Sequence, residues 1–226
     1  MVELPPIHTP ADLCALVREY GFLPYFSTGI PGFSIDDVTP NEVWKENLGL
    51  GPWLWRDDIA REKQCVYGKF FNNKVGYVSV EWLPHLINYR REGFDFDEKY
   101  EDGQIKFSDK RIYDLILRHG PISAPALRRE AGVDPKKSSS FDSALTRLQM
   151  LTYIVPVDFI FPRDAFGQKK YGYGVTVFDL PERWLGEEFC KSEYDREPEE
   201  SLSCMTKHLN NKLPGIEQTS IANLLA

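Results

Sequence analysis

Between residues 108 and 180 the apolar positions recur first with a helical period and then with an extended one. Ile112, Leu115, Ile116 and His119 share one helical face, Ser108 stands where a cap is needed, and Gly120-Pro121 ends the run. Ser123 opens a second helix through Pro125, Ala126, Leu127 and Ala131, and Gly132 supplies the left-handed residue that closes it. Ser139-Ser140-Phe141-Asp142 reads as a capping box for a third helix, in which Phe141, Ala144, Leu145, Leu148 and Leu151 form the apolar stripe. Tyr153 to Phe161 and Tyr171 to Phe178 then carry the aromatic and β-branched residues of paired strands, joined by a basic turn from Arg163 to Lys170. Three helices followed by a hairpin is the order of a winged helix-turn-helix.

The same style of patterning extends outside this segment. Thr9 or Asp12 opens a helix through Leu13, Leu16, Val17 and Tyr20 that ends at Gly21, and Thr39-Pro40-Asn41-Glu42 starts another. A third helix is predicted from Trp53 to Ala60. Gln64 to Phe71 and Lys74 to Ser79 read as a hairpin over Asn72-Asn73, because Asn tolerates positive φ. A helix follows through Leu83, Leu86, Ile87 and Arg90, then a polar linker to Gly103. Beyond an acidic stretch after Gly186, helices are predicted from Leu202 to Leu213 and from Ile216 to Leu225. The expected fold class is mainly α with small β-hairpins (α+β), in tandem winged-helix-like units. The expected divisions are residues 1–103, 104–186 and an acidic helical tail over 187–226.

Charge changes this picture by its distribution. The chain of 226 residues carries a formal net charge of −7, a poor footprint for a partner of phosphates. Gln104 to Gly172, however, holds twelve Lys or Arg against seven Asp or Glu, a local +5 that leaves −12 for the remainder. One basic module thus sits in an acidic protein. With 42% hydrophobic residues a substantial core is available, no apolar run is long enough to span a membrane, and the first residues lack a signal-peptide pattern. A cytoplasmic protein is expected. Cys14, Cys65, Cys190 and Cys204 lie far apart without a C-x-x-C pair, so free thiols are expected rather than a zinc finger or a disulfide framework.

Candidate chemistry concentrates in two places. Ser143, Thr146 and Arg147 face away from the apolar stripe of the third helix, while Lys136, Lys137, Ser139 and Ser140 lie at its N-terminus, where backbone N–H groups meet phosphates. With Arg163, Lys169 and Lys170 of the wing, these residues make a surface for double-stranded DNA; a protein-interaction module is the alternative. The second place holds five carboxylates between Asp95 and Asp102, of which Asp95 and Asp97 are the weak catalytic candidates, with Gln149 a third. A solvated linker is the preferred reading of this stretch. Trp53, Trp55, Tyr67 and Trp82 read as core aromatics, with stacking of an extruded base as the alternative. The four histidines show no metal-ligand spacing, and no phosphate loop or nucleophile elbow occurs, so neither metal nor cofactor is expected.

Several stretches resemble a known family. Tyr67 to Pro84, Asn88-Tyr89-Arg90-Arg91 and Leu148-Gln149-Met150 are similar to bacterial proteins described as AlkZ-related, and more widely to AlkZ-type DNA glycosylases built from tandem winged helices. Gly120-Pro121-Ile122-Ser123, Ala144-Leu145 with Leu148, and Phe178 to Arg183 resemble later repeats of that superfamily; the likeness covers roughly residues 64–186. Those glycosylases carry a Gln-x-Gln or Gln-x-Asp motif near the start of the chain. Here none of Gln64, Gln104, Gln149, Gln168 or Gln218 has Gln or Asp two positions later. The resemblance therefore implies the fold and an affinity for DNA, as a regulator or repair-associated factor, better than it implies excision of alkylated bases.

Overall fold

The computed structural model of the chain describes residues 2–46, 50–134, 139–161 and 172–226. Its first half runs α1 (Pro10–Tyr20), β1 (Phe22–Pro24), α2 (Ile35–Val38), α3 (Asn41–Glu46), a 3₁₀ turn (Gly51–Trp55), α4 (Arg56–Arg61), β2 (Cys65–Phe71), β3 (Lys74–Ser79), α5 (Leu83–Arg91) and α6 (Phe96–Glu101). The second half continues with α7 (Phe107–His119), β4 (Ile122–Ser123), α8 (Ala124–Glu130), α9 (Ser139–Met150), β5 (Val155–Ile160), β6 (Val175–Asp179), α10 (Pro181–Leu185), α11 (Glu187–Cys190), α12 (Pro198–Lys212) and α13 (Gln218–Leu225). The fold is α+β and mainly helical, as the patterning predicts.

Local chemistry fixes the best-defined elements. The Thr9 hydroxyl accepts from the Asp12 N–H at 3.2 Å, the Asp12 carboxylate accepts from the Thr9 N–H at 2.9 Å, and Gly21 closes α1 at φ 79°. Asn72 and Asn73 take φ of 49° and 65°, the left-handed pair that a two-residue hairpin turn demands between β2 and β3. Gly76 of β3 is required by close approach: a Cβ there would stand 2.7 Å from the carbonyl of Leu23 and 2.4 Å from the Phe71 ring.

One order of elements occurs twice. A helix, a short strand, further helices and a hairpin occupy residues 10–79 and again residues 107–179, and each hairpin joins the short strand in an antiparallel three-stranded sheet. The two sheets share one strand order, β1-β3-β2 and β4-β6-β5, with Leu23 opposite Tyr77 in the first and Ile122 opposite Phe178 in the second.

Two hydrophobic cores result. The second gathers Ile112 and Ile116 of α7, Leu127 of α8, Ala144, Leu145 and Leu148 of α9, and Phe178. The first takes α1, the first sheet and α5, and is closed by Met205, Leu209, Ile221, Leu224 and Leu225 from α12 and α13. Val155, Val157 and Phe159 of β5 also belong to it, so the second sheet contributes to both. The Arg61 guanidinium reinforces this seam on Asp158 of β5 at 2.9 Å.

Several local expectations change. The segment read as a linker contains α6, because Glu98 accepts from the Asp95 N–H at 2.8 Å and Phe96 is buried in a 3.7 Å stack on Tyr113. Ser108 is not the cap of α7: Lys106 occupies that position, and the Ser108 hydroxyl donates instead to Asp109 at 2.9 Å. The helix expected from Trp53 divides into the 3₁₀ turn and α4. Cys14, Cys65, Cys190 and Cys204 are free thiols, the first three buried.

Candidate functional site

α9 presents two chemically different sides. Phe141, Ala144, Leu145 and Leu148 enter the second core, while Ser139, Ser140 and Ser143 are exposed on the other side. The hydroxyls of Ser143 and Thr146 each donate at 2.8 Å to a carbonyl four residues back, Ser139 and Asp142. Asp142, Ser143, Thr146 and Arg147 line an open hollow of about 390 Å³ together with Asn73 from the tip of the first hairpin.

The charges on this side are already organised. Arg147 grips Asp109 with both forks, one at 2.8 Å, and that hydrogen-bonded carboxylate raises the guanidinium above its ordinary value. Asp142, which would oppose a phosphate, is held by Arg128. Lys69 of β2 reaches over and donates from Nζ to the Thr146 hydroxyl at 2.8 Å. Lys136, Lys137, Arg163, Lys169 and Lys170 lie outside the described residues.

Asp95 and Asp97 do share a site. They line a cavity of about 290 Å³ with Arg91, Phe96, Tyr113, Tyr153, Glu182, Glu187 and Lys191. Arg91, 2% exposed, pairs with Glu182, lies 4.5 Å over the Tyr153 ring and donates to Thr152. Burial first, then the Glu182 charge, pushes the Tyr113 phenol up to about 12. Each carboxylate candidate is matched by a cation: Asp95 with Lys191 at 2.8 Å, Asp97 with Lys110 at 3.2 Å. Gln149 is not part of this cavity. It is buried in α9, where its Nε2 donates to the Leu145 carbonyl at 3.0 Å and its Oε1 accepts from the Lys69 N–H at 3.3 Å, so its amide is occupied at both ends.

The aromatic set divides. Trp55 is buried in the first core, and Trp82 packs against Phe22, His85 and His208. Trp53 and Tyr67 meet at 6.5 Å, joined by Tyr25, which stacks on Trp53 at 3.8 Å. Sequence reasoning missed the residue at their centre, Arg56, whose only local signal is a charge directly behind the apolar Trp53-Leu54-Trp55. Among the described residues no group of three or more His, Cys, Asp or Glu is placed to hold a metal ion. None of the described helices is long and apolar enough to cross a membrane.

Twin three-stranded sheets in a mainly helical chain, with a polar helix face beside a hairpin, define the class of protein. The AlkZ-related family model matches residues 7–226, and the chain belongs to that family. Membership relates it to AlkZ-type DNA repair proteins. No curated protein and no solved structure matches it.

Proposed function

We propose that the chain is a DNA-binding protein, a regulator or repair-associated factor without base excision of its own, which meets double-stranded DNA through α9. In this reading each repeated block is a winged helix: α9 is the recognition helix of the second, and β5 and β6 are the stems of its wing. The observation that carries it is the exposed side of α9, where Ser139, Ser140 and Ser143 stand free of the core in a segment whose sequence is locally basic. Ser139, Ser140, Ser143 and Thr146 would contact base edges and phosphates. Lys136, Lys137, Arg163, Lys169 and Lys170 would supply backbone contacts, and Arg147 would contribute after exchanging Asp109 for a phosphate. A second reading, a protein-interaction module, draws on the docking of Lys69 and Asn73 against Thr146 and Met150, since this side of α9 already engages protein.

Titration of intact and alkylated duplexes at several salt concentrations tests the proposal. The expected result is binding that weakens steeply with salt, because phosphate contacts release counterions. Absence of binding at low salt removes the DNA reading and leaves the protein-interaction one.

A further inference from the structure

Charges along the polar side of α9 are matched except at Lys69. Arg147 holds Asp109 and Arg128 holds Asp142, whereas no carboxylate pairs with Lys69 among the described residues. Three cations thus stand against two carboxylates. The Lys69 ammonium, half-buried, spends one donor on the Thr146 hydroxyl at 2.8 Å, and an ammonium has three, so two remain for a group outside the chain. Thr146 lines the open hollow of about 390 Å³, which puts those donors at its edge.

Asn73 borders the same hollow from the tip of the first hairpin. It is exposed, and its carboxamide has no partner among the described residues. The backbone that carries this amide is fixed: Asn73 takes a left-handed φ of 65°, its N–H donates to the Met150 sulfur at 3.4 Å, and the neighbouring Asn72 amide donates to the Asn223 carbonyl at 2.8 Å. Little main-chain freedom is left to lose on binding. An excess positive charge beside unused N–H donors, facing open space, suits an anion with several oxygens. A phosphate has that chemistry, offering charge to the ammonium and separate oxygens to Nζ and Nδ2.

We propose that Lys69 and Asn73 of the first hairpin form, against the Thr146 edge of α9, a cleft for one phosphate group, which in a duplex is a backbone phosphodiester. The Thr146 hydroxyl keeps the ammonium in place while its two unused donors turn to the phosphate. Lys69 lies outside the basic segment from Gln104 to Gly172, so the cleft brings a cation of the first half to the helix of the second. The inference rests on the DNA-binding reading for the source of the phosphate; free phosphate tests the cleft without it.

The test is a salt series of duplex titrations by fluorescence anisotropy for the native chain, Lys69→Met, Lys69→Arg and Asn73→Gly. Met keeps the aliphatic stem without the charge, and Gly keeps the left-handed turn without the amide. Lys69→Met is expected to shallow the slope of log affinity against log salt by about one, the value of one phosphate contact, and Lys69→Arg to restore it. A merely structural role for Lys69 would lower affinity and leave the slope alone. Asn73→Gly should lower affinity about fivefold at an unchanged slope, because the lost donor is neutral. An unchanged slope in Lys69→Met, a shallow one that Lys69→Arg does not restore, or full affinity in Asn73→Gly overturns the cleft. Should the native chain bind no duplex, the DNA-binding reading fails by itself. The cleft is then decided by calorimetric titration with inorganic phosphate: saturable heat that Lys69→Met abolishes upholds it, and no saturable heat, or heat that Lys69→Met keeps, overturns it.

Discussion

Lys69 donates to Thr146 twice removed from its own sheet: the ammonium crosses from β2 to the α9 hydroxyl at 2.8 Å, while its backbone N–H donates to Gln149 one turn further on. The polar side of α9 is therefore shared between solvent and the first hairpin. Asn73 of the first hairpin borders the same hollow as Ser143, so this side of α9 is framed by residues from both halves of the chain.

The basic residues ahead of α9 carry the first prediction. Replacing Lys136 and Lys137 together by Ala is expected to lower duplex affinity for every sequence and to shallow the slope of log affinity against log salt by up to about two. Anisotropy titrations across a salt series measure this. An unchanged slope moves the contact surface elsewhere.

Leu148 is buried in the second core, beneath the same helix. Leu148→Ala should destabilise the chain by about 2–5 kcal/mol, the range for buried leucine truncations. Urea melts give the value, and a loss under about 0.5 kcal/mol would contradict the packing of α9.

Arg91 and Glu182 form an ion pair that is largely removed from water. Arg91→Met alone leaves a carboxylate without its cation and is expected to cost roughly 3 kcal/mol, near the lower end for broken buried pairs because Glu182 keeps some exposure. The double variant Arg91→Met with Glu182→Leu should recover more than half of that loss. A double variant no more stable than the single one, by denaturant melt, would count against this account.

Trp82 is flanked by His85 and His208, and burial lowers both imidazoles below their ordinary value of 6.5, outweighing Glu193 beside His85. The unfolded chain therefore binds protons more readily than the folded one in the interval below 6.5. Stability is fully present above that pH and falls as the pH drops toward the folded-state values. Melting temperatures between pH 7.5 and 5 should decline, and His85→Gln with His208→Gln should flatten the decline. The same slope in the double variant would assign it to other groups.

The remaining prediction concerns chemistry. With Asp95 and Asp97 each matched by a lysine and Gln149 bound at both ends of its amide, no free alkylated base should appear from duplex DNA at enzyme excess over long incubation. Base release that vanishes in Asp95→Asn or Asp97→Asn, with folding and affinity intact, would make those carboxylates catalytic. Release that survives both changes would direct attention to Gln149→Ala.

Elements governed by local rules are legible in the sequence alone. α1 announces itself through Thr9, Asp12 and Gly21, and the first hairpin through Asn72-Asn73, because caps and turns depend on residues within a few positions. β1 and β4, three and two residues long, carry no alternation; they exist because β3 and β6 offer them an edge. α6 was hidden by its carboxylates, which outnumber the buried Phe96 that holds it in place. The candidate sites divided on the same principle. The polar side of α9 follows from helical spacing, whereas the cluster around Arg56 draws residues from positions 25 to 173, a convergence that only the tertiary fold creates.

β6 has a residue in each core, Val177 in the first and Phe178 in the second, and that arrangement governs how the molecule comes apart. Melting the first half uncovers Val177 together with Val155, Val157 and Phe159 of the neighbouring β5, and melting the second uncovers Phe178 together with Ile122 of β4. Neither half has a low-cost route to independent opening. Heat should take the chain through one cooperative transition, and an inherited change in this strand is judged by both halves at once.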